Sequence, residues 1–337
     1  MPELPEKPAY FSKKLCELTR RMRDAVLKAR LLKSQFSNVS RHTAADTIYE
    51  LDTHVEPVLE EFCRDWSREY PLILVAEGIE GPGGVEGRAA FPNAAAEKDA
   101  AFIVIVDPID GTRGLMYDKR SAWSLAGVAM NRGAATRLSD IFAAAQAEVP
   151  TSKQSVSDVL WAHKGGGAFA WRDDLPTGKS EPFSLRPSAA KDLAHGFASV
   201  ASFFPGTKKH AAKLMEKIVT STLGPLDVTR PMVFDDQYIC TGGQFYELMI
   251  GHDRFIADLR PAFYRMAGHP TGLCVHPYDL ATMLIAQEAG VRITDEKGEA
   301  VDGPLDVETP LSWMGFANAA LQRAITPIVK EFLASGR

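Results

Sequence analysis

A run of six apolar residues that stops on two acids places the tightest limit on how this chain folds. The stretch is AFIVIVDPIDGT, Ala101 to Thr112. A strand with one wet face alternates apolar and polar residues; this one does not, so other layers must cover both of its faces. Asp107 and Asp110 follow, around a proline and before a glycine. Asp-Pro and Asp-Gly are ordinary turn dipeptides. Pro108 cannot donate to a ladder, so strand pairing is expected to stop there. The turn then points Asp110 back toward Asp107, with the Ile109 carbonyl between them. Two carboxylates and a carbonyl at one point form the hard oxygen nest that Mg²⁺ prefers. Without a cation the like charges repel and one carboxyl holds its proton more tightly. Gly111 and Thr112 follow with backbone N–H groups suited to a phosphate oxygen, and the Thr112 hydroxyl is placed to orient a water. Together these features point to metal-assisted phosphoryl hydrolysis.

Spacing argues against two other readings of the same string. An EF-hand loop needs oxygens at alternating positions and a glycine sixth, whereas the acids here stand first and fourth. The haloacid-dehalogenase-like signature, DxDGT, has one residue between its acids; here there are two. That difference changes which way the side chains point and disfavours a nucleophilic aspartate.

A chain of 337 residues suggests two units rather than one. With 45% hydrophobic and 24% charged residues it has the composition of a soluble globular protein. A formal charge of −5 argues against nucleic acid or an anionic membrane as the main partner. A bound cation would still admit a small anionic substrate. Cys16, Cys63, Cys240 and Cys274 form no CxxC pair and read as reduced thiols rather than a zinc site or a disulfide framework. The segment MPELPEKPAYFSKK lacks the apolar core of a signal peptide. The longest stretch free of Asp, Glu, Lys and Arg, Leu193 to Thr207, is shorter than the about 20 residues a membrane span needs. The expectation is a cytoplasmic protein.

Phe11, Leu15, Leu18, Met22, Val26 and Ala29 recur at helical spacing. The basic face of that helix (Arg20, Arg21, Arg23, Lys28, Arg30) reads as solvated. Ile48 to Phe62 repeats the helical pattern, with Pro57 predicting either a kink or a start near Asp52. PLILVAEG reads as a strand ending on Glu77, and the Gly-rich residues 78–98 as a long loop that is not a P-loop. SAWSLAGVAM, IFAAAQAEV and SDVLWAH read as strands, and KGGGAFAW as a glycine turn entering another. After about residue 180 apolar runs alternate with helical stretches, an α/β texture. In HPYDLATMLIAQEAGVRIT, a helix is expected over Leu280 to Gln287 with Gly290 as its C-cap, then a short strand. Asp279 stands at or near that helix's N-terminus, where capping is its default role.

VDPIDGT resembles the signature of the inositol monophosphatase family, within the superfamily that includes fructose-1,6-bisphosphatase and 3′-phosphoadenosine phosphatases. Three further segments resemble it in the same order: ILVAEG, AHKGGGAF and YDLATMLIAQEAG. The likeness runs from about residue 45 to about residue 300 and is weak between residues 175 and 270.

The resemblance implies a layered αβαβα sandwich. Residues 1–175 would form an α+β part with most metal ligands, and residues 176–337 an α/β part supplying Asp279 and the substrate contacts. It implies two or three Mg²⁺ ions held by Glu77, Asp107, the Ile109 carbonyl, Asp110 and Asp279. Gly111 and Thr112 would donate to the phosphate, and Thr112 with Asp52 would activate a metal-bound water. Attack would be in line, with no covalent enzyme intermediate. The implied activity is hydrolysis of an inositol phosphate or a related sugar or polyol phosphate, with lithium inhibition and a homodimeric assembly. Fructose 1,6-bisphosphate or 3′-phosphoadenosine 5′-phosphate is the alternative substrate, and a non-catalytic binding protein is the alternative of another class. The chain departs from the pattern at Gly78, where a second acid is usual, at Tyr278, where tryptophan is usual, and in the length of its Gly-rich insertion. Each acid taken alone also has an ordinary structural role, in a turn, a cap, a helix surface or a strand end.

Overall fold

Five of the six residues of AFIVIV, Phe102 to Val106, are covered from both sides, while Ala101 is exposed ahead of the strand. Phe102, Val104 and Val106 pack into one apolar core, while Ile103 and Ile105 pack into another. The computed structural model describes residues 8–32, 39–42, 47–49, 54–80, 86–225, 227 and 229–336. In chain order its elements are α1 (Pro8–Leu32), β1 (Val39–His42), β2 (Thr47–Tyr49), α2 (Glu56–Trp66), β3 (Leu72–Glu80), β4 (Glu86–Phe91), β5 (Phe102–Asp110), α3 (Thr112–Met116), β6 (Ala122–Met130), β7 (Ile141–Val149), β8 (Val156–His163), β9 (Ala168–Asp174) and β10 (Lys179–Phe183). There follow β11 (Gly196–Val200), α4 (Lys208–Leu223), β12 (Val233–Phe234), α5 (Thr241–Met249), β13 (Asp253–Asp258), α6 (Arg260–Ala267), α7 (Met283–Glu288), β14 (Arg292–Thr294), β15 (Trp313–Phe316) and α8 (Ala319–Ser335).

Two sheets organise these elements. The larger has eight strands in the order β10-β9-β8-β7-β6-β5-β3-β4, and the smaller five, in the order β12-β11-β13-β15-β14. Three apolar cores separate the layers. The first joins the outer face of the large sheet to α1 (Leu15, Leu18, Met22) and α2 (Leu59, Phe62). The second joins its inner face to α5 (Phe245, Leu248), α7 (Leu284, Ile285) and the facing residues Ile256 and Trp313 of the small sheet. The third joins the other face of the small sheet (Phe255, Phe316) to α4 (Leu214, Ile218) and α8 (Leu321, Ile325). Helix, sheet, helix, sheet, helix: this is the αβαβα sandwich. Each fully buried Leu or Phe contributes about 1.5–3 kcal/mol, so every layer boundary rests on several such side chains. The large sheet continues to Phe183 and the small one starts at Gly196, so the sheets change over later in the chain than residue 175. No helix among the described residues is long and apolar enough to cross a membrane.

Four local expectations are corrected. Helix α2 begins at Glu56 without a kink, because Pro57 falls in the first turn, where no intrahelical bond needs its missing N–H. The Gly-rich stretch is not all loop: β4 pairs antiparallel with β3, and a 3-10 helix over Ala94–Asp99 follows, its first turn held by the Asn93 side chain. The basic face of α1 is not all solvated. Arg23 is buried, and Asp173 on β9 accepts from Arg20 Nε (2.8 Å) and from Arg23 Nη1 (2.8 Å). A carboxylate on the sheet thus turns helix charges into an anchor. Lastly, α7 starts only at Met283, four residues past Asp279, which therefore does not cap it.

Candidate metal centre

Strand β5 does not end where its proline predicts. Asp107 pairs with Leu125 and Asp110 with Trp123, so three steps on β5 face two on β6. The extra residue makes a β-bulge, which absorbs Pro108 without ending the ladder and re-aims the side chains on either side of it. The Pro108 carbonyl accepts from the Ser124 hydroxyl at 2.8 Å. Asp107 Oδ1 accepts from the Ile109 N–H at 3.0 Å, and the Ile109 carbonyl from the Thr112 hydroxyl at 2.7 Å. Two such side-chain bonds within six residues lock the loop at the strand's end.

Gly111 follows with φ 93°, in the left-handed region. A Cβ there would lie 2.9 Å from the Cys240 Cβ. Gly111→Ala is therefore expected to cost about 1–3 kcal/mol through backbone strain, before any clash. Urea unfolding checks this; a stability equal to wild type would contradict it.

The other acids arrive from distant elements. On the parallel pair β3 and β5, Ala76 pairs with Val106, so Glu77 and Asp107 leave the two strands at one level. This is the carboxyl end of a parallel pair, the place where crevices form in open sheets. Asp279 comes from the turn before α7, its Oδ2 accepting from the His276 N–H at 2.6 Å. One carboxylate oxygen each from Asp107, Asp110 and Asp279 lies within 4.8 Å of the others. The Tyr278 hydroxyl lies 3.4 Å from Glu77 Oε2, so tyrosine, where tryptophan was expected, reaches this cluster through its polar tip.

Burial dominates the electrostatics. It pushes the Asp110 carboxyl up to about 6, against the pull of the Gly242 N–H, which donates to its Oδ2 at 2.6 Å, and of Cys240 and the Thr241 N–H. Burial, then the charges of Asp110 and Glu77, push Asp279 well above the ordinary carboxylate range, against the His276 N–H and Arg260. Converging buried carboxylates that repel one another are costly by themselves and suit a hard divalent cation.

The structure thus brings together Asp107, Asp110 and Asp279, with Glu77, Ile109, Gly111 and Thr112 on the walls of the same cleft. Asp52, the expected partner of Thr112, lies outside the described residues. Several cleft residues carried no signal in the sequence reading: Glu56, Phe203, Phe204, Cys240 and Arg260. Most of them fall between residues 175 and 270, where the resemblance is weak. One cue was present. RFIADLR, Arg254 to Arg260, repeats in short form the pattern of an apolar run ending on charge.

The five layers and the acidic cleft between them define the class of structure: this is the fold of the inositol monophosphatase and fructose-1,6-bisphosphatase structures. Leishmania major fructose-1,6-bisphosphatase in its holo form superposes with a TM-score of 0.68 at 12% identity, over 98% of this chain and 95% of that one. The extragenic suppressor protein SuhB from Bartonella henselae gives 0.62 at 14%, over 96% and 99%. An inositol monophosphatase–fructose 1,6-bisphosphatase gene product gives 0.58 at 15%, over 98% and 100%. At these identities the likeness is one of fold. No family model matches the chain, and no curated protein sequence matches it significantly.

Proposed function

We propose that this chain is a Mg²⁺-dependent phosphomonoester hydrolase acting on an inositol phosphate or a related sugar or polyol phosphate. The convergence of Asp107, Asp110 and Asp279 within 4.8 Å carries the reading. These three, with Glu77 and the Ile109 carbonyl, form an all-oxygen set fitted to two or three Mg²⁺ ions. Bound there, the metal supplies a water of lowered pKa and neutralises charge on the leaving oxygen. The backbone N–H groups of Gly111 and Thr112 hold the phosphate. Thr112, with Asp52, orients the water for in-line attack, and no side chain forms a covalent intermediate. Lithium inhibition and a homodimer in solution belong to the same reading. A non-catalytic binding protein is disfavoured, because a chain that had lost its chemistry would have no reason to keep mutually repelling buried acids.

A phosphate-release assay over inositol 1-phosphate, fructose 1,6-bisphosphate and 3′-phosphoadenosine 5′-phosphate, with and without Mg²⁺, tests the proposal. Release from at least one substrate is expected, dependent on Mg²⁺ and lost in Asp107→Asn. If no substrate releases phosphate, and wild type and Asp107→Asn behave alike, the chain is not this enzyme.

A further inference from the structure

The wall of the cleft supplied by the small sheet has a chemistry of its own. Strands β11 and β13 are parallel and pair Val200 with Ala257. Three residues beyond that pair on each strand stand Phe203 and Arg260, so both rise from the carboxyl end of the second parallel pair and line the same cleft as the acids. The Arg260 guanidinium lies 5.1 Å from the Phe203 ring centroid and 5.5 Å from that of Phe204. Its Nε and Nη2 form a fork on the Asp258 carboxylate, at 2.8 and 2.7 Å, and its Nη1 donates to the Leu273 carbonyl at 3.0 Å.

A guanidinium has five N–H donors. Nε uses its one, and Nη1 and Nη2 use one each. Two remain, one on each terminal nitrogen, and no hydrogen bond from another described residue takes them. Arg260 is 6% exposed yet lines the cleft beside Asp110 and Asp279. A structural ion pair needs only the fork on Asp258. Here the other donors stay at the edge of a cleft, on a group already locked by four neighbours.

We propose that Arg260 reads a second anionic group, phosphate or carboxylate, on the alcohol half of the substrate; this rests on the phosphatase reading above. The locked guanidinium pays little ordering entropy on binding, and its two terminal N–H groups match the oxygens of a phosphate or carboxylate. Phe203 and Phe204 exclude water from its face, which strengthens the contact. Asp258 balances the charge, so selectivity comes from hydrogen-bond geometry. A substrate without the second group leaves these donors unpaired at a poorly hydrated site.

The test begins with binding, which needs no turnover. Calorimetry in Mg²⁺ and inorganic phosphate, so that the catalytic phosphate position is filled, compares glucose 6-phosphate, glucuronate and glucose. Wild type is expected to bind one of the two anions between about tenfold and about a hundredfold more tightly than glucose, the scale of a hydrogen bond to a charged group. The tighter of the two names the group. The double variant Asp258→Asn/Arg260→Gln replaces the buried pair by a neutral one and is expected to lose the preference. Arg260→Lys, which keeps the charge but not the fork, is expected to lose it as well; thermal melts show which variants fold. Equal binding of all three probes, or a preference kept in either folded variant, overturns the assignment. In parallel, the kcat/KM ratio of glucose 1,6-bisphosphate to glucose 1-phosphate is expected to exceed one and to fall in the variants. Turnover of both with no such ratio overturns the Arg260 assignment and leaves the phosphatase reading standing. Anion preference with no turnover of any substrate does the reverse.

Discussion

Asp110→Asn is expected to lower phosphate release by at least about a hundredfold and to weaken Mg²⁺ binding severely. Removing one charged oxygen ligand forfeits several kcal/mol of the charge stabilisation a metal site supplies, and each 1.36 kcal/mol is a factor of about ten in rate. The Asp110 carboxylate is fixed by the Gly242 N–H at 2.6 Å, and its backbone carbonyl lies 3.1 Å from Cys240 Sγ. Asparagine fits the same volume and can still accept from Gly242 through its carbonyl oxygen. A loss of activity therefore reports the missing charge rather than a collapsed loop. Calorimetry with Mg²⁺ and the phosphate-release assay check this together. Unchanged Mg²⁺ affinity in the variant removes Asp110 from the ligand set.

The second expected result concerns stability. Mg²⁺ is expected to raise the melting temperature, and metal-free protein is expected to gain stability from the cluster as pH falls from neutral toward 4. The sign follows from linkage. Asp110 titrates near 3.8 in the unfolded chain and is pushed up to about 6 when folded, and burial raises Asp279 in the same direction. Between Asp110's two values the folded state binds more protons than the unfolded state, so stability from Asp110 is present below about 4 and lost as pH rises through about 6, and Asp279 acts with the same sign. The ion pairs of the fold act elsewhere. Burial pushes the Asp173 carboxyl up, but its bonds to Arg20, Arg23 and Ser180 outweigh that and hold it at about 2, so it loses its contribution only as pH falls below 4. Bound Mg²⁺ favours the ionised acids. At a hundred times its Kd it adds about 2.7 kcal/mol, and it removes the penalty at neutral pH. Calorimetric melts across pH, with EDTA or with Mg²⁺, decide the matter, and Asp110→Asn is the control. Metal-free variant and wild type with the same pH dependence, or a melting temperature indifferent to Mg²⁺, would contradict the assignment.

Much of the candidate centre was legible in the sequence because its signals are local. An unbroken apolar strand ending on Asp107 announces burial on both faces and a charge at the sheet's edge, since side-chain direction along a strand follows from residue order alone. Glu77 was readable for the same reason. Asp279 was found through a motif, but its local role was misread: nothing in HPYDLATM indicates that the helix waits until Met283, while the His276 N–H claims the carboxylate first. Pro108 was read as the end of a strand because the rule against proline in ladders is local too. The bulge that accommodates it depends on β6 lying alongside.

What the sequence by itself determined is the oxygen chemistry of the acids and the burial of β5, both carried by residue type and short-range period, while the layered class of fold was implied by the resemblance of its motifs. Only the tertiary structure decided that Glu77 and Asp107 leave parallel strands at one level, and that Asp279 closes on Asp110. It alone decided that Phe203, Phe204 and Arg260 line the same cleft. Those juxtapositions join residues far apart in the chain, and no spacing rule reaches them. They exist because β3 pairs with β5, β11 pairs with β13, and one apolar core packs the two sheets against each other through α5 and α7.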